Sequence, residues 1–209
     1  MARITSQFAL SALLAFLVGA ASAQATGTAG GTPANPASPT APGTATQPDA
    51  AQARKDSQLA RSDAAFLKQA AQNGHAEVES SKLAVEKAVN PKVKSFAQHM
   101  VEDHTKANEE LASLAASKGV EVPKEPSLMQ KAKMKLLSTA DGESFDRRYA
   151  ESMGVNAHQD TVELFEKAAA EAQDPEIKDF AAKTLPKLQE HLQMAEELKN
   201  VTAQQDSKQ

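Results

Sequence analysis

Residues 90–111 read NPKVKSFAQHMVEDHTKANEEL, and residues 174–198 read DPEIKDFAAKTLPKLQEHLQMAEEL. The two stretches repeat each other. Each opens on Asn or Asp followed by proline (Asn90-Pro91, Asp174-Pro175), passes through Phe-Ala (Phe96-Ala97, Phe180-Ala181), reaches a histidine (His104, His191) and closes on Glu-Glu-Leu. A side-chain oxygen of Asn or Asp caps a helix start, and proline at the first helical position loses nothing because that N–H has no intrahelical partner. Both copies are therefore predicted to be helices with well-defined starts.

Their apolar patterns agree. Val93, Ala97, Met100, His104, Ala107, Leu111 and Leu114 follow one another in alternating steps of four and three, as do Ile177, Ala181, Thr184, Leu188, His191, Ala195 and Leu198. Such a stripe is the packing seam of a left-handed helix bundle. The second copy has three extra residues between its Phe and its His, slightly less than one helical turn, so both histidines can still face inward. Pro186 falls inside the second copy, where loss of a backbone hydrogen bond predicts a kink.

Two more long helices precede the repeats. Ser62 or Asp63 is expected to cap a first helix running to about Val89, and the second helix to end near Gly119, a natural left-handed cap. The loop GVEVPKEP follows, then a short helix over Ser127–Ser138, a turn at Asp141-Gly142 and a long helix over Glu143–Ala172. Glu151, Val155, His158, Val162, Phe165 and Ala169 form a weaker stripe on it, while the alanines of the first helix fit several registers. Each of these helices has an early Phe (Phe66, Phe145), a central His (His75, His158) and a Glu-Lys-Ala before the Pro-capped partner. The expected fold is all-α: a ferritin-like four-helix bundle of two duplicated helix pairs, with a short extra helix in the crossover.

The sequence outside the bundle sets the expected compartment. Residues 1–23 combine Arg3, an apolar run from Phe8 to Val18 and the small residues Ala21-Ser22-Ala23, the pattern of a secretory signal peptide cleaved after Ala23. The run is too short to span a membrane, and nothing later approaches its hydrophobicity. Residues 24–55 are Ala, Thr, Gly and Pro with almost no large apolar side chain, a composition expected of a disordered linker. The bundle is expected over 56–201 and a short disordered tail over 202–209. Periplasmic or secreted localisation follows.

Composition narrows the chemistry. The chain has no cysteine, which excludes disulfides, thiolate metal sites and c-type haem attachment. Its net charge of −4, with both signs interspersed, argues against a nucleic-acid partner.

The run FLKQAAQNGHAEVESSKLAVEKAVNPKVKSFAQHMVEDHTKANEEL, then FDRRYAESMGVNAHQD and LPKLQEHLQMAEEL, resembles an exported bacterial family, domain of unknown function 4142, over about Ser62 to Leu198. The resemblance implies a ferritin-like bundle, often labelled an outer-membrane protein, with no settled activity. It carries over Glu77, Glu79, Asp103, His104, Tyr149, His158, Leu185-Pro186 and His191. Ala157 stands before His158 where analogy with Asp103-His104 would place an acid.

A ferritin-type dinuclear iron site needs Glu-x-x-His on two helices, because hard carboxylates must bridge and balance the metal charge. Val101 and Leu188 occupy those glutamate positions. Glu79, four residues after His75, and Glu151, two turns before His158, are the candidate carboxylate ligands. A softer set also exists: Met100 before His104, Met153 before His158 and Met194 after His191, and imidazole with thioether suits copper. The candidate metal ligands are thus His104, His158, His191, Glu79, Glu151 and Met100, for copper or iron. Against this, the same three histidines can be polar core residues that bond a carboxylate or carbonyl and set helix register, with no cofactor at all. No nucleophile elbow, phosphate loop or His-Glu-x-x-His is present, so an enzyme is not expected. The leading expectation is a noncatalytic, interaction or stress-related protein of the cell envelope with an unknown envelope or protein partner; the alternative is a metal-binding bundle.

Overall fold

The computed structural model describes residues 59–206; the expected signal peptide and linker lie outside the described residues. The chain forms α1 (Arg61–Lys87), α2 (Pro91–Ser117), α3 (Leu128–Ser138), α4 (Gly142–Tyr149), a π-helical segment (Ala150–Asn156), α5 (Ala157–Glu171) and α6 (Pro175–Asp206). No strand occurs among the described residues. α1 packs along α2 and α5 along α6, giving two helical hairpins joined by a crossover that contains α3. The fold is the expected ferritin-like bundle. Among the described residues no helix is long and apolar enough to cross a membrane.

Local chemistry accounts for the element boundaries. Asn90 Oδ1 accepts from the Lys92 N–H at 2.8 Å with Pro91 at the first helical position, and Asp174 Oδ1 accepts from Glu176 N–H (2.9 Å) and Ile177 N–H (3.2 Å). Ser127 and Gln130 form a reciprocal capping box that starts α3. α2 ends at Gly119, whose φ of +68° lets the Val120 N–H reach the Ala115 carbonyl at 2.9 Å.

Three boundaries differ from expectation. The first helix begins at Arg61 with Ala60 at its cap position and no side-chain cap, because Asp63 is turned elsewhere. The long third helix is divided by seven residues of π-helix. The last helix continues through Pro186 and past residue 201 to Asp206, and buried Thr202 shows that the expected tail begins inside the bundle.

Asp63 and Asp146 reveal the duplication in the structure. Asp63 Oδ2, at the start of α1, accepts from the N–H groups of Gln173 (3.0 Å) and Asp174 (2.8 Å) in the α5–α6 loop. Asp146, in α4, accepts from Val89 N–H (3.2 Å) and Asn90 N–H (2.7 Å) in the α1–α2 loop. Each hairpin's turn is therefore held by a carboxylate from the other hairpin.

The apolar core comes in two parts. One contains Phe96, Met100, Tyr149, Met153, Val155, Ala195 and Leu198; the other contains Phe66, Leu67, Leu111, Val162, Phe165, Ile177 and Leu188. On every long helix a polar residue falls between the two: Glu77 on α1, His104 on α2, His158 on α5 and His191 on α6.

Candidate functional site

That polar layer is sealed. Glu77 and His104 are 3% exposed, His158 and His191 1%. The three imidazole rings meet with centroids 5.1–5.7 Å apart.

The partners of each ring assign its protons. Carbonyl and carboxylate oxygens can only accept, so a ring nitrogen facing one carries hydrogen. His158 Nδ1–H donates to the Gly154 carbonyl at 2.8 Å, with the Met153 carbonyl at 3.2 Å. His104 Nδ1 lies 2.8 Å from Glu77 Oε2, a close ionic contact although its N–H does not point squarely at the oxygen. His191 Nε2–H donates to Asp103 Oδ2 at 2.8 Å. The opposite nitrogens of His104 and His158 face each other. His104 Nε2 and His158 Nε2 are 3.3 Å apart, and His191 Nδ1 is buried without a hydrogen-bond partner. One nitrogen from each of the three rings falls in a group no more than 4.8 Å across, close enough to hold a metal ion.

A second tier orients the first. Thr161 Oγ1–H donates to Glu77 Oε1 (3.1 Å), Asn73 Nδ2–H to Thr161 Oγ1 (3.2 Å), and Gln130 Nε2–H from α3 to Asn73 Oδ1 (2.9 Å). Gly154 serves twice: its carbonyl takes the His158 proton, and a Cβ there would lie 3.2 Å from the Ala195 Cβ, so glycine allows α6 its close approach. The π-helical segment containing it is the kind of irregularity that clusters at functional sites.

Electrostatics follow from this arrangement. Burial alone would push the Glu77 carboxyl up, but the charges of His104 and His158, the close approach of the His104 ring and the hydrogen bond from Thr161 outweigh it and hold the carboxyl at about 2. Burial likewise pulls on His104, and there the Glu77 charge wins and raises it above the ordinary imidazole value. His158 is lowered chiefly by burial, with the His104 charge adding and Glu77 opposing. Burial, then the neighbouring His104 charge, lower His191 to about 4 against the pull of Asp103. His104 is thus the ring whose surroundings favour the charged form, and its Nε2 lies 3.3 Å from His158 Nε2.

The structure brings His104, His158 and His191 together and corrects the expected carboxylates. Glu79 is exposed: it lies two positions from Glu77, about 200° around the helix, and it is Glu77 that faces the histidines. Glu151 is exposed and pairs with Lys199 at 3.2 Å on the surface. Its place on the stripe assumed α-helical phase, which the π segment breaks. Met100 is buried in the apolar cluster with Phe96 and Tyr149. Asp103, a position the resemblance carries over but one that flanks the seam and is not among the expected metal ligands, accepts from His191, so the carboxylate stands on α2 rather than before His158.

A family model matches residues 47–198. The chain belongs to the DUF4142 family. Its description is a domain of unknown function. No curated protein matches the sequence. Among solved structures, the DUF4142 bundle is similar to a DUF305 fragment from Deinococcus radiodurans, with a TM-score of 0.60 and 15% identity over 70% of this chain and 99% of that one. It is also similar to a conserved hypothetical protein from Mycobacterium tuberculosis, with a TM-score of 0.52 and 14% identity over 66% of this chain and 91% of that one. At such identities the likeness concerns the fold alone.

Proposed function

We propose that this DUF4142 chain binds one transition-metal ion, copper(II) or zinc(II), through His104 Nε2, His158 Nε2 and His191 Nδ1, and that it does so as a noncatalytic protein of the cell envelope. The observation that carries the reading is the arrangement of the rings: the outer nitrogens of His158 and His191 donate to Gly154 and Asp103, that of His104 lies against Glu77, and one nitrogen of each ring falls in a common group. Metal-bound histidines have this arrangement, the outer acceptor orienting the ring and raising its basicity.

The spacing supports it. Two nitrogens each about 2.0–2.1 Å from a metal at a tetrahedral angle stand about 3.3–3.4 Å apart, against 3.3 Å between His104 Nε2 and His158 Nε2. Three imidazoles suit zinc and copper, whereas a dinuclear iron site would need several bridging carboxylates. Only Glu77 is buried at this level; the other buried acids among the described residues, Asp63 and Asp146, are held by loop N–H groups. The cavities that reach Glu77 measure about 60 and 20 Å³, room for water but not for an organic substrate, which favours holding a metal over transforming a ligand. The signal-like residues 1–23 and the absence of cysteine suit an envelope role in which imidazole replaces thiolate.

The test is titration of the purified, chelator-stripped protein with zinc and with copper(II), by calorimetry and by elemental analysis after dialysis. One equivalent is expected on wild type and none of comparable affinity on the His104→Ala, His191→Ala double variant. Equal binding by the two proteins, or none by wild type, overturns the proposal.

A further inference from the structure

The buried histidines raise a question of access, since an ion must reach a layer whose rings are almost wholly covered. His191 is the ring with a neighbour leading outward. Its Nε2–H donates to Asp103 Oδ2 at 2.8 Å, and the same oxygen lies 3.2 Å from His99 Nε2. The side chains of Asp103 and His99 are 26% and 39% exposed, against 1% for His191. His99 and Asp103 are one turn apart on α2, and the His99 ring stands edge-on to that of His191 with centroids 5.6 Å apart. His99, Asp103 and His191 also offer ligand atoms within 4.8 Å of one another, a second group able to hold a cation. Beside His99 opens a groove of about 420 Å³ that Ser95, Met194 and Glu197 also line. His191 thus belongs to both groups, with Nε2–H donating to Asp103 and Nδ1 buried without a hydrogen-bond partner.

We infer that His99 and Asp103 form an outer, exchangeable site that captures a divalent transition metal from solvent and passes it by way of His191 to the buried histidines. The inference rests on the proposed inner site. Two protein ligands plus water bind an ion weakly, which suits capture and release. Rotation of the His191 ring about its Cβ–Cγ bond would turn the one free lone pair, that of Nδ1, first toward the ion held by Asp103 and His99 and then to the centre. Asp103 exchanges its hydrogen bond from the His191 Nε2–H for the ion, His191 keeps that proton and coordinates only through the lone pair of Nδ1, and no covalent bond in the protein is made or broken.

Stopped-flow mixing of zinc with the chelator-stripped full chain, read by competition with a chromophoric chelator, separates capture from final affinity. His99→Ala and the more conservative His99→Gln are expected to slow association roughly tenfold or more while leaving the equilibrium affinity within about twofold, because the final ligands are untouched. His75→Ala, on α1, should change neither. An unchanged association rate in both His99 variants overturns the inference, as does an affinity that falls in step with the rate, which would make His99 a ligand of the final state. If wild type binds no metal at all, the reading of the inner site fails instead, a result recognisable before any rate is compared.

Discussion

Glu77 is the residue on which the polar layer turns. A carboxylate 3% exposed is stable only because its oxygens meet the His104 ring and the Thr161 hydroxyl. Glu77→Gln keeps the shape and removes the charge, so His104 loses the partner that raises its pKa and orients its inner nitrogen. Zinc affinity is expected to fall about 10–100-fold with the bundle still folded, read by metal titration beside circular dichroism. The imidazoles also set a pH dependence for the metal-free protein. A histidine whose folded value lies below its unfolded 6.5 adds stability above that pH, lost as acid protonates the unfolded chain; His191, at about 4, and His158 both behave so. His104 is raised and works oppositely, its contribution full below pH 6.5 and lost as pH rises through its folded value. Below pH 6.5 His104 is charged in both states and adds no slope, while His191 and His158 leave the unfolded chain binding more protons, so the melting temperature should drop steadily as pH falls from about 6.5 toward 4. Glu77, held at about 2, extends the loss below 4.5. A flat profile from pH 7 to 4 would contradict the buried neutral rings.

The elements are tied by two carboxylates that act alike at opposite ends of α1. Asp63 and the α1–α2 turn that Asp146 holds are separated by most of the helix, roughly 35 Å at 1.5 Å per residue. Replacing either aspartate with alanine removes the carboxylate acceptor of two loop N–H groups, most of them only partly buried, expected to cost about 1–2 kcal/mol. At that separation the double variant should lose the sum of the two, with an unchanged denaturant slope in urea unfolding. These partnerships were not legible in the sequence. A helix start offers local reasons for an acid, so Asp63 reads as a cap, while its acceptors' real donors lie 110 residues away at Gln173 and beyond. The strong seams of α2 and α6, their Asx-Pro starts and the Gly119 cap were legible because each depends on a few neighbouring residues. Glu151 was misplaced because the π segment inserts extra residues per turn, and hydrophobic periodicity assumes an unbroken 3.6-residue repeat. In α1 the alanines carry too little contrast to choose between Glu77 and Glu79. The three histidines, by contrast, stand on seams that could be read, but that each has one nitrogen turned to the centre depends on partners from other helices.

At the scale of the whole bundle the polar layer is where the two hairpins are joined across the middle: Thr161 to Glu77, His158 to His104, and His191 to Asp103. Each of these pairs takes one partner from the first hairpin and one from the second. A metal held by His104, His158 and His191 would add bonds from α2, α5 and α6 at the same level, all made only in the folded chain. Binding to the native state alone stabilises by RT ln(1 + [L]/Kd), about 2.7 kcal/mol when free metal is a hundredfold above Kd. For a domain of this size that is a rise in melting temperature of roughly 5–10 °C. Zinc added to the stripped protein should produce that rise, excess chelator should reverse it, and the His104→Ala, His191→Ala variant should show neither. Because the bonds span both hairpins, the gain should appear as slower hydrogen exchange in the middle turns of α2, α5 and α6 together rather than at one helix end. Protection confined to a single helix, or a thermal shift equal in wild type and variant, would place the metal elsewhere on the molecule.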